Sequence, residues 1–264
     1  MKTALVTGAN KGIGLGIARQ LAQEGIYVYL GSRNLENGRK AVEQLKSEGL
    51  ANVETVQLDV TDQASVDAAR AYIAGKVDTL DILINNAGVG GGTEQRSLTM
   101  DPNAIKEIFE TNYYGVVRMP QAFVDLMRES DAPRIVNVST GLASQTVATD
   151  PSNSYYDYKL TGYQSSKTAL NMYTIQVAYD LRDTNFRVNA VCPGAIDTDM
   201  NRNPGTEPVE VGAARIVKYA LIGEDGAEDF PKVGQFKVNQ FALVDSEQTP
   251  WAVGLRCRCA GDDG

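Results

Sequence analysis

The sequence predicts an α/β protein: one domain on a doubly wound parallel sheet of about seven strands, with helices on both faces. Three observations carry this expectation. Short runs rich in Val, Ile and Leu alternate with longer amphipathic runs along all 264 residues. The short runs are apolar almost throughout, as strands covered on both faces must be. No repeat, low-complexity block or interdomain linker interrupts the alternation, and strand–helix alternation of this length implies right-handed crossovers between parallel strands.

Taken in order, strands are expected at 3–7 (TALVT), 27–31, 53–58, 81–85, 134–139 and 186–191. Helical patterns occupy 13–24, 34–48, 61–75, 101–130 (two helices), 161–183 and 208–222. Gly25 and Gly49 follow the first two helices as C-terminal stops, and Thr61 with Asp62 opens the third in the manner of an N-cap. The domain is expected to run from 1 to 254, containing an insertion at 144–158 and a substrate-side segment at 197–223, with a flexible tail at 255–264. The opening MKTALVTGAN reads as a first strand and not as a signal peptide, since its apolar run enters glycines instead of a cleavage site.

Composition narrows the function classes. A net charge of −8 disfavours nucleic acid and anionic membranes as partners, because both select basic surfaces. No apolar stretch approaches the roughly eighteen residues of a membrane span. Three cysteines do not make a disulfide framework, so a reducing, cytoplasmic setting is expected. Cys257 and Cys259 form a C-x-C pair in the tail without further ligands, and no metal is assigned to them.

In a sheet of this kind ligands bind beyond the carboxyl ends of the strands. After the first strand comes TGANKGIGLG, with Gly8, Gly12 and Gly14 leading at once into a helix. The first glycine would make the sharp turn, the second would let backbone approach a pyrophosphate, and the third would let the helix pack close. The helix N-terminus adds free N–H groups and partial positive charge. The second strand ends Gly31-Ser32-Arg33-Asn34, with no acid at its tip to take a ribose 2′-hydroxyl. Arg33, helped by Lys11 in the glycine loop, suits a 2′-phosphate instead, which favours the phosphorylated dinucleotide.

The chain contains no histidine. Proton transfer near neutrality must therefore fall to another group. Tyr163 and Lys167 stand four apart on an expected helix, and so share one face. An ammonium nearby would stabilise a phenolate and lower the tyrosine towards its working range. The preceding strand ends Asn137-Val138-Ser139-Thr140, placing hydroxyls where a carbonyl oxygen would sit. Asn85-Asn86-Ala87-Gly88 ends the fourth strand, small and polar enough for ribose packing. Pro193-Gly194-Ala195-Ile196-Asp197-Thr198 follows the sixth and suits the nicotinamide end.

Taken together and in this order, these motifs resemble the short-chain dehydrogenase/reductase family over about residues 2 to 200, and the segments GANKGIGL, SRNLENGRKA and LDVTD resemble its carbonyl-reductase branch. The resemblance implies a Rossmann-type fold, NADPH (NADP+) as cofactor, and reversible reduction of a ketone or aldehyde to an alcohol. It implies Tyr163 as the acid–base and Lys167 as the ribose ligand that lowers the tyrosine's pKa. Asn112, in ETNYYG, would hold a water in a proton relay. Gly8, Asn10, Lys11, Gly12, Ile13 and Gly14 would cradle the phosphates, Asp59 and Val60 the adenine, and Asn86, Ala87 and Gly88 the adenine ribose. Pro193, Gly194, Ile196 and Thr198 would hold the nicotinamide end.

Two departures from the family pattern stand out. Thr140 occupies the place of the usual second serine, so the working hydroxyl is either Thr140 or Ser139. The segment between Thr140 and Tyr163 is also longer than usual, and forms either a substrate-lining flap carrying Tyr155, Tyr156 and Tyr158 or a packed surface loop. An NAD-linked alcohol dehydrogenase and a catalytically silent NADP-binding sensor are the alternatives. The expected partner is a small carbonyl or alcohol substrate, with monomer or homo-oligomer left open.

Overall fold

Each of the six apolar runs becomes a strand: β1 (Thr3–Val6), β2 (Tyr27–Ser32), β3 (Val53–Gln57), β4 (Ile82–Asn85), β5 (Arg134–Val138) and β6 (Arg187–Val191). A two-residue strand, β7 (Leu243–Val244), completes a seven-stranded sheet of order β3-β2-β1-β4-β5-β6-β7. Every pairing in it is parallel. The computed structural model describes residues 1–92, 94–200, 206–222 and 243–244. The expected tail at 255–264, with Cys257 and Cys259, lies outside the described residues, as do 201–205 within the substrate-side segment.

The helices are α1 (Gly12–Gln23), α2 (Leu35–Ser47), α3 (Gln63–Ala74), α4 (Pro102–Phe109), α5 (Gly115–Met127), α6 (Gln145–Thr149), α7 (Thr161–Asp180) and α8 (Val209–Ala220). The punctuation read from sequence operates as expected. Gly25 and Gly49 follow α1 and α2 at φ +76° and +90°, the left-handed conformation that ends helices. The Asp62 side chain accepts the Ala64 N–H at the start of α3. The 101–130 region holds the two expected helices, α4 and α5, joined by a π turn at Glu110–Tyr114. Such a turn carries one extra residue, and π turns concentrate at functional sites.

Period-two alternation in the strands divides the core between the two faces. From β1, Ala4 and Val6 join Ile17 and Leu21 of α1 and Ile216 of α8. Leu5 points the other way, to Val66 and Ile73 of α3, Phe123 of α5 and Val177 of α7. The strand order reverses direction between β1 and β4, which opens a crevice at their carboxyl ends. Among the described residues, no helix is long and apolar enough to cross a membrane.

Candidate active site

The glycine loop fits a pyrophosphate on its own geometry. Gly8 adopts φ +61°, and a Cβ there would lie 2.9 Å from the Ala87 Cα. A Cβ on Gly14 would run into the Asn86 side chain and lie 2.5 Å from the Gly8 carbonyl oxygen. Gly12, at φ +55°, faces open space, its nearest neighbour being Thr198 Cγ2 at 3.9 Å. Thus Gly8 and Gly14 close the loop while Gly12 leaves it approachable. No side chain caps α1 at Lys11 and its first turn holds no acid, so its leading N–H groups await an anion. Asn10 and Ile13 are half-buried on the same loop.

Asn86 works on that loop from below. Its Nδ2 donates to the Thr7 and Gly8 carbonyls, both at 3.0 Å, while the Thr7 hydroxyl accepts from Asn86 N and from Ala87 N. Beyond β3, the Asp59 carboxylate accepts from Thr61 N and from the Thr61 hydroxyl. Val60 is buried under Gly115, and its carbonyl accepts from Arg118 at 3.2 Å. The two cations expected for the 2′-phosphate differ. Arg33 is exposed and, among the described residues, has no hydrogen bond or ion pair. Lys11 is already paired with Asp199 at 2.8 Å.

Tyr163 and Lys167 stand on the first two turns of α7, facing the ends of β4, β5 and β6. Lys167 is 4% exposed, and its ammonium donates to the Val138 carbonyl at 2.7 Å. Gly88 closes over it, since a Cβ there would lie 3.7 Å from the Lys167 Nζ. Burial lowers the Lys167 ammonium to about 8. For Tyr163, burial pushes the phenol up to about 12, the Cys192 sulfur acts in the same direction, and the Thr140 hydroxyl opposes both. Lys167 is not among the causes acting on the phenol, since its ammonium is turned to the Val138 carbonyl.

The two candidate hydroxyls separate cleanly. Ser139 donates to Asn171 Oδ1 at 2.6 Å and is buried against α7. Thr140 is the hydroxyl beside the Tyr163 phenol, and it also accepts weakly from Leu142 N at 3.3 Å. Asn112 lies in the π turn at 0% exposure. It accepts from Val89 N and donates to the Val89 carbonyl and the Ser166 hydroxyl, so both of its amide hydrogens are spent inside the protein. These bonds tie the π turn, α7 and the loop after β4 together.

Past β6, Pro193 and Gly194 turn the chain and Ile196 is buried at 1%. Gly194 has φ +97°, and a side chain there would strike Arg215. Arg215 grips the corner by donating to the Pro193 carbonyl at 2.7 Å and forking onto Glu207 at 2.5 and 2.8 Å. Cys192 joins neighbouring strand ends, because its sulfur accepts from Gly141 N and Gly194 N. In the 144–158 segment, the rings of Tyr155 and Tyr158 meet edge to face and Lys159 lies over Tyr156. Gln164 of α7 fastens the segment by donating to the carbonyls of Leu142 and Tyr158. Sequence reasoning missed Asn171, Cys192, Glu207, Arg215 and the buried Gln95. The one usable signal was Leu160, a poor residue for the N-cap of α7.

Known proteins share this parallel sheet and its helices. The model of the short chain dehydrogenase family matches residues 2–208. The (+)-neomenthol dehydrogenase of Arabidopsis thaliana is 37% identical over 271 residues, which cover 83% of this chain and 91% of that protein. The structure of salutaridine reductase from Papaver somniferum gives a TM-score of 0.74 at 32% identity, covering 86% of this chain and 97% of that one. The NADPH-bound carbonyl reductase from chicken fatty liver gives 0.74 at 25% identity, over 86% of this chain and 94% of its own. The chain belongs to the short-chain dehydrogenase family.

Proposed function

We propose that this protein is an NADPH-dependent carbonyl reductase, converting a ketone or aldehyde to an alcohol reversibly. The observation that supports the reading is that Thr140 lies beside the Tyr163 phenol while Lys167, one turn further along α7, reaches the Val138 carbonyl beside Gly88. NADPH, when bound, supplies the hydride. The N-terminus of α1 and Gly12 would take its pyrophosphate, and Arg33, exposed and unpaired among the described residues, its 2′-phosphate. Thr140 would hold the substrate oxygen against Tyr163, which would give it a proton from the phenol. With its pKa raised, the phenol is protonated at neutral pH, so the proton to be given is in place before the transfer. Lys167 would move from the Val138 carbonyl to the cofactor ribose and favour the phenolate left behind. The solved carbonyl reductase of chicken fatty liver, with its bound NADPH, supports the cofactor assignment.

The test is NADPH oxidation against a panel of ketones, aldehydes and keto esters, run beside the Tyr163→Phe variant. That variant keeps the ring and removes the acid, so turnover should fall by about 10²–10⁴-fold while NADPH still binds. A folded, NADPH-binding Tyr163→Phe protein with near-normal turnover would remove the catalytic reading.

A further inference from the structure

The helix that carries Tyr163 begins without a cap of its own. Leu160 occupies the N-cap and makes no side-chain hydrogen bond, although the first N–H groups of any helix lack intrahelical acceptors. Two of those groups are satisfied from 65 or more positions away in the sequence. The Gln95 carbonyl accepts from Thr161 N at 3.1 Å, and Gln95 Oε1 accepts from Tyr163 N at 2.9 Å, a separation of 68 positions. Ser97 and Thr161 add a hydroxyl–hydroxyl bond at 2.8 Å.

The other end of the same side chain reaches the loop after β4. Gln95 Nε2 donates to the Gly90 carbonyl at 2.6 Å and to the Gly92 carbonyl at 2.7 Å. Gln95 is 0% exposed, and its amide oxygen and both amide hydrogens are used. The surroundings leave it little room to move. Gly91 and Gly92 take φ +73° and +80° to present their segment to it. A Cβ on Gly162 would lie 2.6 Å from Ile108 Cδ1 and 3.4 Å from Gln95 Oε1. The loop it holds begins at Gly88, which closes over the Lys167 ammonium.

We infer that Gln95 is a positioning residue for the reaction. It fixes the backbone of Tyr163 and the Gly88–Gly92 loop to each other, so that the phenol meets the substrate oxygen in one register. This rests on the catalytic reading of Tyr163 given above. A fully satisfied buried amide has the stiffness this role needs, and a misplacement of about 1 Å at a reacting group is enough to cost 10²-fold. The cofactor's pyrophosphate and 2′-phosphate would be held elsewhere, by the glycine loop and Arg33, and of the residues assigned to its adenine end only Gly88 belongs to the loop that Gln95 holds, so Gln95 should affect turnover more than cofactor affinity.

Gln95→Met keeps the bulk and removes every side-chain hydrogen bond, leaving the main-chain bond to Thr161 N in place. Turnover should fall roughly tenfold or more, while the NADPH dissociation constant changes by less than about threefold. Residue-resolved amide exchange gives the direct readout. The Tyr163 amide should be protected in the unaltered protein and should lose that protection in Gln95→Met. Gln95→Glu restores an acceptor for that amide and should recover both protection and part of the lost turnover. The inference is overturned if the Tyr163 amide exchanges freely in the unaltered protein. It is equally overturned if Gln95→Met keeps full turnover, or loses turnover and NADPH affinity by the same factor. If Gln95→Met does not fold, the exchange measurement on the unaltered protein and the Gln95→Glu variant decide. Full turnover in Tyr163→Phe would reject the catalytic reading instead, and would leave the exchange result standing as evidence on the cap alone.

Discussion

At the amino ends of the strands, the buried Asp81 carboxylate accepts from Thr3 N at 2.7 Å, from the Ser130 hydroxyl at 2.6 Å and, more weakly, from the Thr3 hydroxyl at 3.5 Å. At the carboxyl ends, the similarly buried Lys167 ammonium has, among the described residues, a single acceptor, the Val138 carbonyl. The two edges belong to the same strands and the same core, yet among the described residues one surrounds its charge with donors and the other gives its charge one acceptor. Burial of a charge costs unless partners replace water. The amino edge meets that requirement and holds the fold together. The carboxyl edge does not, and its neighbours Tyr163 and Lys167 are both pushed from their ordinary pKa values, to about 12 and about 8. Tyr27 and Tyr173 are also pushed up to about 12, so it is the placement of Tyr163 and Lys167 at the crevice, and not the shift by itself, that sets this edge apart.

Substitutions should therefore separate by edge. The largest effect beyond Tyr163 itself is expected at Thr140. Losing a hydroxyl donor aimed at the substrate oxygen should lower turnover by about 10²–10³-fold in Thr140→Ala, measured by NADPH oxidation. Ser139→Ala should cost much less, because that hydroxyl is engaged with Asn171. The reverse order would mean that the strand end turns the other way when substrate binds. Next comes Arg33→Ala. Loss of a charge-assisted contact should weaken NADPH binding by about 1.5–3 kcal/mol and leave NADH nearly unaffected, as titration of both cofactors would show. Equal losses would take Arg33 off the 2′-phosphate. Smallest for function is Asp81→Ala at the opposite edge. It should lower unfolding free energy by about 1–3 kcal/mol per stranded donor, with turnover per folded molecule unchanged. A turnover defect there would break the distinction between the edges.

The two edges also differ in how much of them the sequence disclosed. The strands were legible because each is nearly continuous Val, Ile and Leu, and the glycine loop because φ values near +60° demand glycine at Gly8 and Gly12. The Tyr163–Lys167 pair followed from helical spacing. What stayed hidden was set by contacts between distant segments. The π turn depends on Asn112 bonding to Val89 and Ser166, which no local pattern reveals. Gln95 reads as one more polar loop residue until α7 is seen to lack its own cap. The choice between Ser139 and Thr140 was open because adjacent residues on a strand end face opposite ways, and sequence alone does not say which faces Tyr163. The upward displacement of the phenol depends on burial, and burial depends on the whole fold.

The central claim is that the carboxyl edge keeps an under-partnered charge for chemistry and not for stability. Lys167→Met tests it, with unfolding free energy and turnover measured on the same preparation across pH. The folded Lys167 sits near 8 against an ordinary 10.5, so between those values the unfolded chain binds more protons and stability must rise with pH. At neutral pH the full penalty, roughly 3 kcal/mol before compensation, is in place. Tyr163 has the opposite sign, since its raised pKa makes stability fall as pH climbs from 10 towards about 12, which closes the useful window near pH 10. The account predicts that Lys167→Met is at least as stable as the unaltered protein at neutral pH, lacks the rise in stability above pH 8, and has lost turnover. A variant that is destabilised like Asp81→Ala, keeps the same pH slope and still turns over substrate would contradict it.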